Sequence, residues 1–204
     1  LGARVREGLE VVGVATSERS EALARQVGVK TTSLASVDSL DVAFDGADEV
    51  APDLSLVKGL GGAHLRERVV AREAGRFVVL VTPEKLVKQL GERAPIPIEV
   101  VPFAVGPAQR RLAQLAPVTG VSRRMVKGEN VPFVTDNGNA ILDAAITPTD
   151  RPAEVDAAFR AIAGVVDVGF FLGMADLVLI GEAGQVRELK PPRAFVTTKL
   201  GKRR

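Results

Sequence analysis

Three short stretches of this sequence carry side chains suited to proton or phosphate chemistry. Asp45-Gly46-Ala47-Asp48-Glu49 packs three carboxylates into five residues. Carboxylates at that density repel one another unless hydroxyls, cations or a metal lie among them, so the stretch points to a polar ligand or acid–base work. The competing reading is a simple turn, which Asp-Gly favours, although a turn requires neither Asp48 nor Glu49. Lys58 is followed by Gly59-Leu60-Gly61-Gly62 and then by a helical pattern. Glycines let backbone approach a ligand closely, and N–H groups at a helix start attract phosphate or a developing oxyanion. The stretch is neither a Walker A loop nor a dinucleotide fingerprint, and read alone it is nearly as well explained as a flexible loop. Glu67, one turn into that helix, is a candidate general base, with His64 on the same helical face. From spacing alone, a surface glutamate and a bystander histidine are the plainer readings. Lys85 adds a further cation after the next strand.

Composition narrows the chemistry. Cysteine is absent and His64 is the single histidine among 204 residues. That removes thiolate nucleophiles, cysteine-based metal sites and multi-histidine clusters, so acid–base work falls to Asp, Glu and Lys. No metal and no cofactor are expected; a magnesium-dependent phosphotransfer site at Asp45, Asp48 and Glu49 is the competing reading. The lack of cysteine fits a reducing, cytoplasmic location. No apolar run is long enough to cross a bilayer as a helix. Six basic residues in Lys190–Arg204 exceed the whole formal net charge of +2, so the rest of the chain is net acidic. This tail (191–204) is expected to be a solvated, disordered terminus, and no nucleic-acid or membrane partner is expected.

The elements that must hold these residues alternate. Glu10–Ala15 reads as a buried parallel strand, and Thr16-Ser17 caps a helix running to Val27 and closed by Gly28. Asp41–Phe44, Ser55–Val57 and Arg76–Val81 read as strands, Ala63–Ala74 as a helix, and Thr82-Pro83-Glu84 as the opening of another helix. The polar clusters fall at strand ends, where open α/β sheets bind ligands. From Pro95 the pattern becomes strand Ile98–Phe103, helix Pro107–Ala116, strands Val118–Val126 and Asn139–Ile146, helix Arg151–Ala163 and strand Val165–Leu172. That βαββαβ order is the split βαβ arrangement of a ferredoxin-like unit. Leu177–Ile180 and Gln185–Leu189 read as a hairpin across Glu182-Ala183-Gly184. The fold class expected is α/β: a Rossmann-like open-sheet domain over 1–95 and 173–190, with a smaller ferredoxin-like α+β subdomain over 96–172.

Taken together, these motifs resemble the ribose-5-phosphate isomerase A family. The resemblance rests on Asp45–Glu49, on Lys58 to Arg68, on Phe77–Leu80, Lys85, Pro95–Val100, Val134–Asn139 and Gly164–Val166, in matching order. It implies metal-free interconversion of D-ribose 5-phosphate and D-ribulose 5-phosphate through a cis-enediolate, in the non-oxidative pentose phosphate pathway. It implies Glu67 as catalytic base, and Asp45, Gly46, Ala47, Asp48, Lys58, Gly59, Leu60, Gly61 and Lys85 as substrate-binding positions. It further implies a small-molecule sugar phosphate as partner and a homodimer or homotetramer. Leu60 stands where the family usually carries glycine, so its side chain must point away from the sugar or narrow the pocket. The family's TGST-like phosphate loop lies on an earlier strand, and the chain reads as beginning after it, inside a larger gene product. A non-catalytic sugar-phosphate-binding module on the same scaffold is the alternative.

Overall fold

The computed structural model describes residues 1–191; the expected basic tail lies outside them apart from its first residues. A short helix α1 (Gly2–Arg6) is followed by β1 (Val12–Gly13), α2 (Glu18–Gln26) and β2 (Lys30–Thr31). The helix α2 starts where the sequence places a cap: the Ser20 N–H donates to Ser17 Oγ at 3.1 Å, satisfying one of the free donors of the first turn. β1 and β2 pair in parallel as a sheet of their own. The expected buried strand Glu10–Ala15 is therefore reduced to two paired residues, and Val12 is exposed. The pairing with β2 is confined to Val12 against Lys30 and Gly13 against Thr31.

Next come β3 (Leu40–Asp45), β4 (Glu49–Val50), β5 (Leu56–Val57), α3 (His64–Glu73) and β6 (Ala74–Val81). Then follow β7 (Ile96–Val100), α4 (Val105–Leu112), β8 (Val118–Arg123), β9 (Ala140–Ile146), α5 (Pro152–Arg160) and β10 (Val165–Val168). The described chain closes with β11 (Phe170–Phe171), β12 (Leu177–Glu182) and β13 (Gln185–Leu189). β3, β6 and β12 are parallel neighbours, and β13 returns antiparallel to β12. The turn between them holds Ala183 and Gly184 at positive φ, as a tight hairpin demands. The sheet β10-β7-β9-β8 is antiparallel throughout. Numbered within the βαββαβ segment, its order is 4-1-3-2, which places the two inner strands of a split βαβ unit side by side. The architecture is α/β, a parallel-rich open sheet beside a ferredoxin-like antiparallel one.

Two apolar cores follow from the patterning. Under the antiparallel sheet, Ile96, Ile98, Val100 and Leu142 pack with Leu112 of α4 and Phe159 of α5. Under the parallel sheet, Phe77, Val79, Val178 and Ile180 pack with Leu56, Ala71 and Phe171. A fully buried side chain of this size stabilises by about 1.5–3 kcal/mol. Between the two sheets lies a three-stranded ribbon, β11-β5-β4, so Leu56-Val57 pairs antiparallel with both neighbours.

One expected helix is absent. Thr82-Pro83-Glu84 opens only a single 3-10 turn over Pro83–Lys85. The Val87 N–H donates to Val50 O, and Leu86 bridges Val50 in parallel, so pairing with β4 draws the chain out of the helix. The Glu49 carboxylate completes the capture by accepting the N–H groups of Gly91, Arg93 and Ala94 at 2.6–2.8 Å. Three backbone donors satisfied by one buried carboxylate outside a helix outweigh local capping preference.

Candidate active site

Lys58 leaves the end of β5 as a side chain only 3% exposed. A buried ammonium requires paired anions and acceptors, and here it has three. Nζ donates to Gly46 O at 2.6 Å and forms ion pairs with Asp45 Oδ2 at 3.0 Å and Glu67 Oε2 at 3.1 Å. It also stands over the Phe171 ring, 5.5 Å from the centroid. The lysine thus bridges the end of β3 and the first turn of α3.

Glu67 is therefore not the surface residue its spacing suggests; its side chain is 14% exposed. Burial raises its pKa above the ordinary carboxylate value. Lys58 opposes that rise, while the nearby charges of Asp45 and Asp48 add to it. Oε2 is buried and has no aligned hydrogen-bond donor, although Lys58 lies within ion-pair distance. A buried carboxylate with raised basicity, held beside a cation, is chemically fit to take a proton from carbon.

The aspartates divide their tasks. Asp45 Oδ1 accepts the Gly46 N–H at 2.7 Å while Oδ2 faces Lys58. Asp48 Oδ2 accepts the Leu60 N–H at 2.9 Å, tying the carboxylate turn to the glycine turn. Glu49 goes elsewhere: it is fully buried and caps the 91–94 loop. The expectation of three converging carboxylates is corrected to two. Among the described residues no three His, Asp or Glu side chains gather in a metal-binding group.

The glycine turn is held from both sides. Arg124 Nη1 donates to Gly59 O and Leu60 O at 2.7 and 3.0 Å, and Arg124 itself pairs with Asp143. Gly59 has φ +105°, and a Cβ there would lie 2.7 Å from His64 Nδ1, so glycine is required by both conformation and space. The Gly62 N–H closes on Gly59 O and the Leu60 N–H is taken by Asp48, leaving the N–H groups of Gly59 and Gly61 as uncommitted donors among the described residues. Leu60 is 44% exposed, with its side chain outside the packed interior. His64 is wholly buried, and burial lowers its pKa, so it packs beneath the turn as a neutral ring.

Direct contacts thus join Asp45, Gly46, Asp48, Lys58, Leu60 and Glu67, with Gly59 in the same turn. Lys85 lies apart from that knot. It is half-buried and lines a concavity of about 460 Å³ with Gly46, Ala47, Thr82, Leu179 and Gly181. The carbonyl of Gly46 holds Lys58, so this one turn separates the two lysines. Sequence reasoning missed Phe171 and Arg124. Neither has a local signal: Phe171 arrives through the pairing of β11 with β5, and Arg124 through a side-chain hydrogen bond to a turn 65 residues earlier.

A model of the family described as ribose 5-phosphate isomerase A (phosphoriboisomerase A) matches residues 12–185. The ribose-5-phosphate isomerase A of Methanothermobacter thermautotrophicus is 47% identical over 191 residues, covering 93% of this chain and 83% of that one. The structure of ribose 5-phosphate isomerase A from Methanocaldococcus jannaschii superposes with a TM-score of 0.86 at 41% identity, over 93% of this chain and 83% of that one. A D-ribose-5-phosphate isomerase solved in complex with phospho-erythronic acid superposes with a TM-score of 0.88 at 38% identity and the same coverage.

Proposed function

The chain belongs to the ribose 5-phosphate isomerase A family, and we propose that it performs that family's aldose–ketose isomerisation with Glu67 as the carbon base. It is an enzyme that interconverts D-ribose 5-phosphate and D-ribulose 5-phosphate. The single observation that carries the residue assignment is the Lys58–Glu67 pair, buried at 3.1 Å beside an aspartate turn and a glycine turn.

In the forward direction, Glu67 takes the proton from C2 of the open-chain aldose, and the electron pair moves to the C1 carbonyl through a cis-enediolate. The same carboxylic acid returns the proton to C1, while a proton passes from the C2 hydroxyl to the C1 oxygen, leaving the carbonyl at C2. Raised basicity suits Glu67 to both halves of that shuttle. Lys58 supplies fixed positive charge where the enediolate oxygens gather charge, and the Gly61 N–H adds a preorganised donor. Asp45 and Asp48 orient sugar hydroxyls and assist ring opening, and Gly46, Ala47, Gly59 and Leu60 line the substrate. Lys85, a half-buried cation on the far side of the Gly46 turn, is assigned to the phosphate-bearing portion. The phospho-erythronic acid held by the related structure is itself an anionic sugar phosphate, which supports a substrate of that class here.

On the same reading, residues 1–95 with 173–190 form the catalytic lobe and 96–172 the ferredoxin-like one. The resemblance supports a homodimer or homotetramer, and the absence of cysteine supports work in the cytoplasm, within the pentose phosphate pathway. Glu67→Gln tests the assignment directly. Turnover is expected to fall by about 10²–10⁴-fold, the usual contribution of a general base, with KM little changed. Near-normal turnover in that variant rejects Glu67 as the base.

A further inference from the structure

Lys58 and Glu67 come from different elements, yet both are mounted on one five-residue segment, Asp167–Phe171. The Gly169 carbonyl accepts the Lys58 N–H at 2.9 Å. The carbonyls on either side, Val168 and Phe170, accept instead from Arg68 Nη2, the latter at 3.0 Å. Successive carbonyls of extended backbone point to opposite sides, so the segment holds Lys58 along one edge and Arg68 along the other. Arg68 is the residue after Glu67 on α3.

The grip on Arg68 is unusually complete. Its Nε donates to both Asp167 oxygens at 2.8 and 2.9 Å, and Asp167 is 1% exposed. Its guanidinium carbon lies 4.1 Å from the Phe171 ring centroid, the same ring that Lys58 overlies. Arg160 adds a second cation to Asp167 at 2.9 Å, so the buried aspartate is fully matched. A buried guanidinium held by several directed, charge-assisted bonds is fixed in orientation as well as position.

We propose that Arg68 is a positioning residue for the isomerisation: locked by Asp167, the Val168 and Phe170 carbonyls and the Phe171 ring, it sets where Glu67 stands relative to Lys58. It does not touch the reacting atoms. Packing alone would be served by any group that fills the space, whereas five directed contacts on a side chain adjoining the base fix the first turn of α3 in rotation as well as depth. Errors of about 1 Å in such placement cost about 10²-fold in rate.

This inference rests on Glu67 being the base, and the experiment separates the two. Glu67→Gln, Arg68→Lys, Arg68→Met and Asp167→Asn are measured for melting temperature, kcat, KM and the pH dependence of kcat/KM. In Arg68→Met, which loses both the buried charge and its donors, kcat is expected to fall about 10²-fold with KM changed less than about threefold, whereas Arg68→Lys, which keeps a cation and donors toward the same acceptors, is expected to retain most of it. Glu67 faces Lys58, Asp45 and Asp48, and Lys58 alone of these holds its pKa down. Loosening that pair raises the pKa, so the acid limb of kcat/KM moves to higher pH. Asp167→Asn is expected to lower kcat in the same way as Arg68→Met. If folded Arg68→Met and Asp167→Asn lose melting temperature but keep wild-type kcat and an unmoved acid limb, Arg68 is only structural and the proposal fails. If Glu67→Gln stays active, the assignment of the base has failed instead, whatever the Arg68 variants do.

Discussion

A lysine with two carboxylates within about 3 Å behaves as an electrostatic hinge for both. Glu67 pays for its burial with a raised pKa, and Asp45 contributes by repulsion across the shared cation. Removing that neighbouring negative charge relieves the repulsion. In Asp45→Asn the acid limb of kcat/KM, which reports deprotonation of the free enzyme's base, is therefore expected to move to lower pH. A pH–rate series on the variant and the parent measures it; a limb that stays in place or rises removes Glu67 as the group that sets it. At this scale the sequence is legible only in part. Residues 45–48 and 58–61 announce a polar site through type and spacing. The burial of Glu67 does not show locally, because the partners it meets, Lys58 and the Asp45–Asp48 turn, are brought to it by the fold.

Among elements, the 82–94 segment shows how a distant acceptor overrides local preference. Thr82-Pro83-Glu84 has the residues of a helix start, yet β4 extracts the following chain and Glu49 takes three of its N–H groups. The same Glu49 looks like a third catalytic carboxylate when only DGADE is in view. Its partners are backbone amides, which no side-chain motif can advertise. Glu49→Ala leaves those amides without acceptors and is expected to lower unfolding stability by about 3 kcal/mol, measured by urea denaturation. Because this loop also carries Lys85, KM is expected to rise in the variant with a smaller effect on kcat. Full stability would show that the three bonds are dispensable. By contrast, the split βαβ order of 96–168 is readable almost entirely, since alternating strand and helix patterns with ordinary connections leave little choice of partners.

For the whole molecule, the telling feature is the passage from the antiparallel sheet to the three-stranded ribbon at Gly169. Its N–H donates to Pro97 O at 2.7 Å, and its carbonyl accepts from Lys58 N at 2.9 Å. A Cβ there would lie 2.4 Å from Lys58 O and 2.7 Å from Pro97 Cδ, so only glycine lets the three strands meet this closely. The amides of Lys58 and Gly169 are expected to exchange with solvent deuterium only on global unfolding, whereas those of the 127–131 loop exchange far sooner. Comparable exchange at both places would contradict a rigid junction. The sequence offers Gly169 only as one glycine among twenty, and nothing local marks it as a three-way crossing. Its effect reaches beyond stability. With both halves joined at the very residue that carries the central ammonium, any hinging between them at this junction would drag that ammonium along with it.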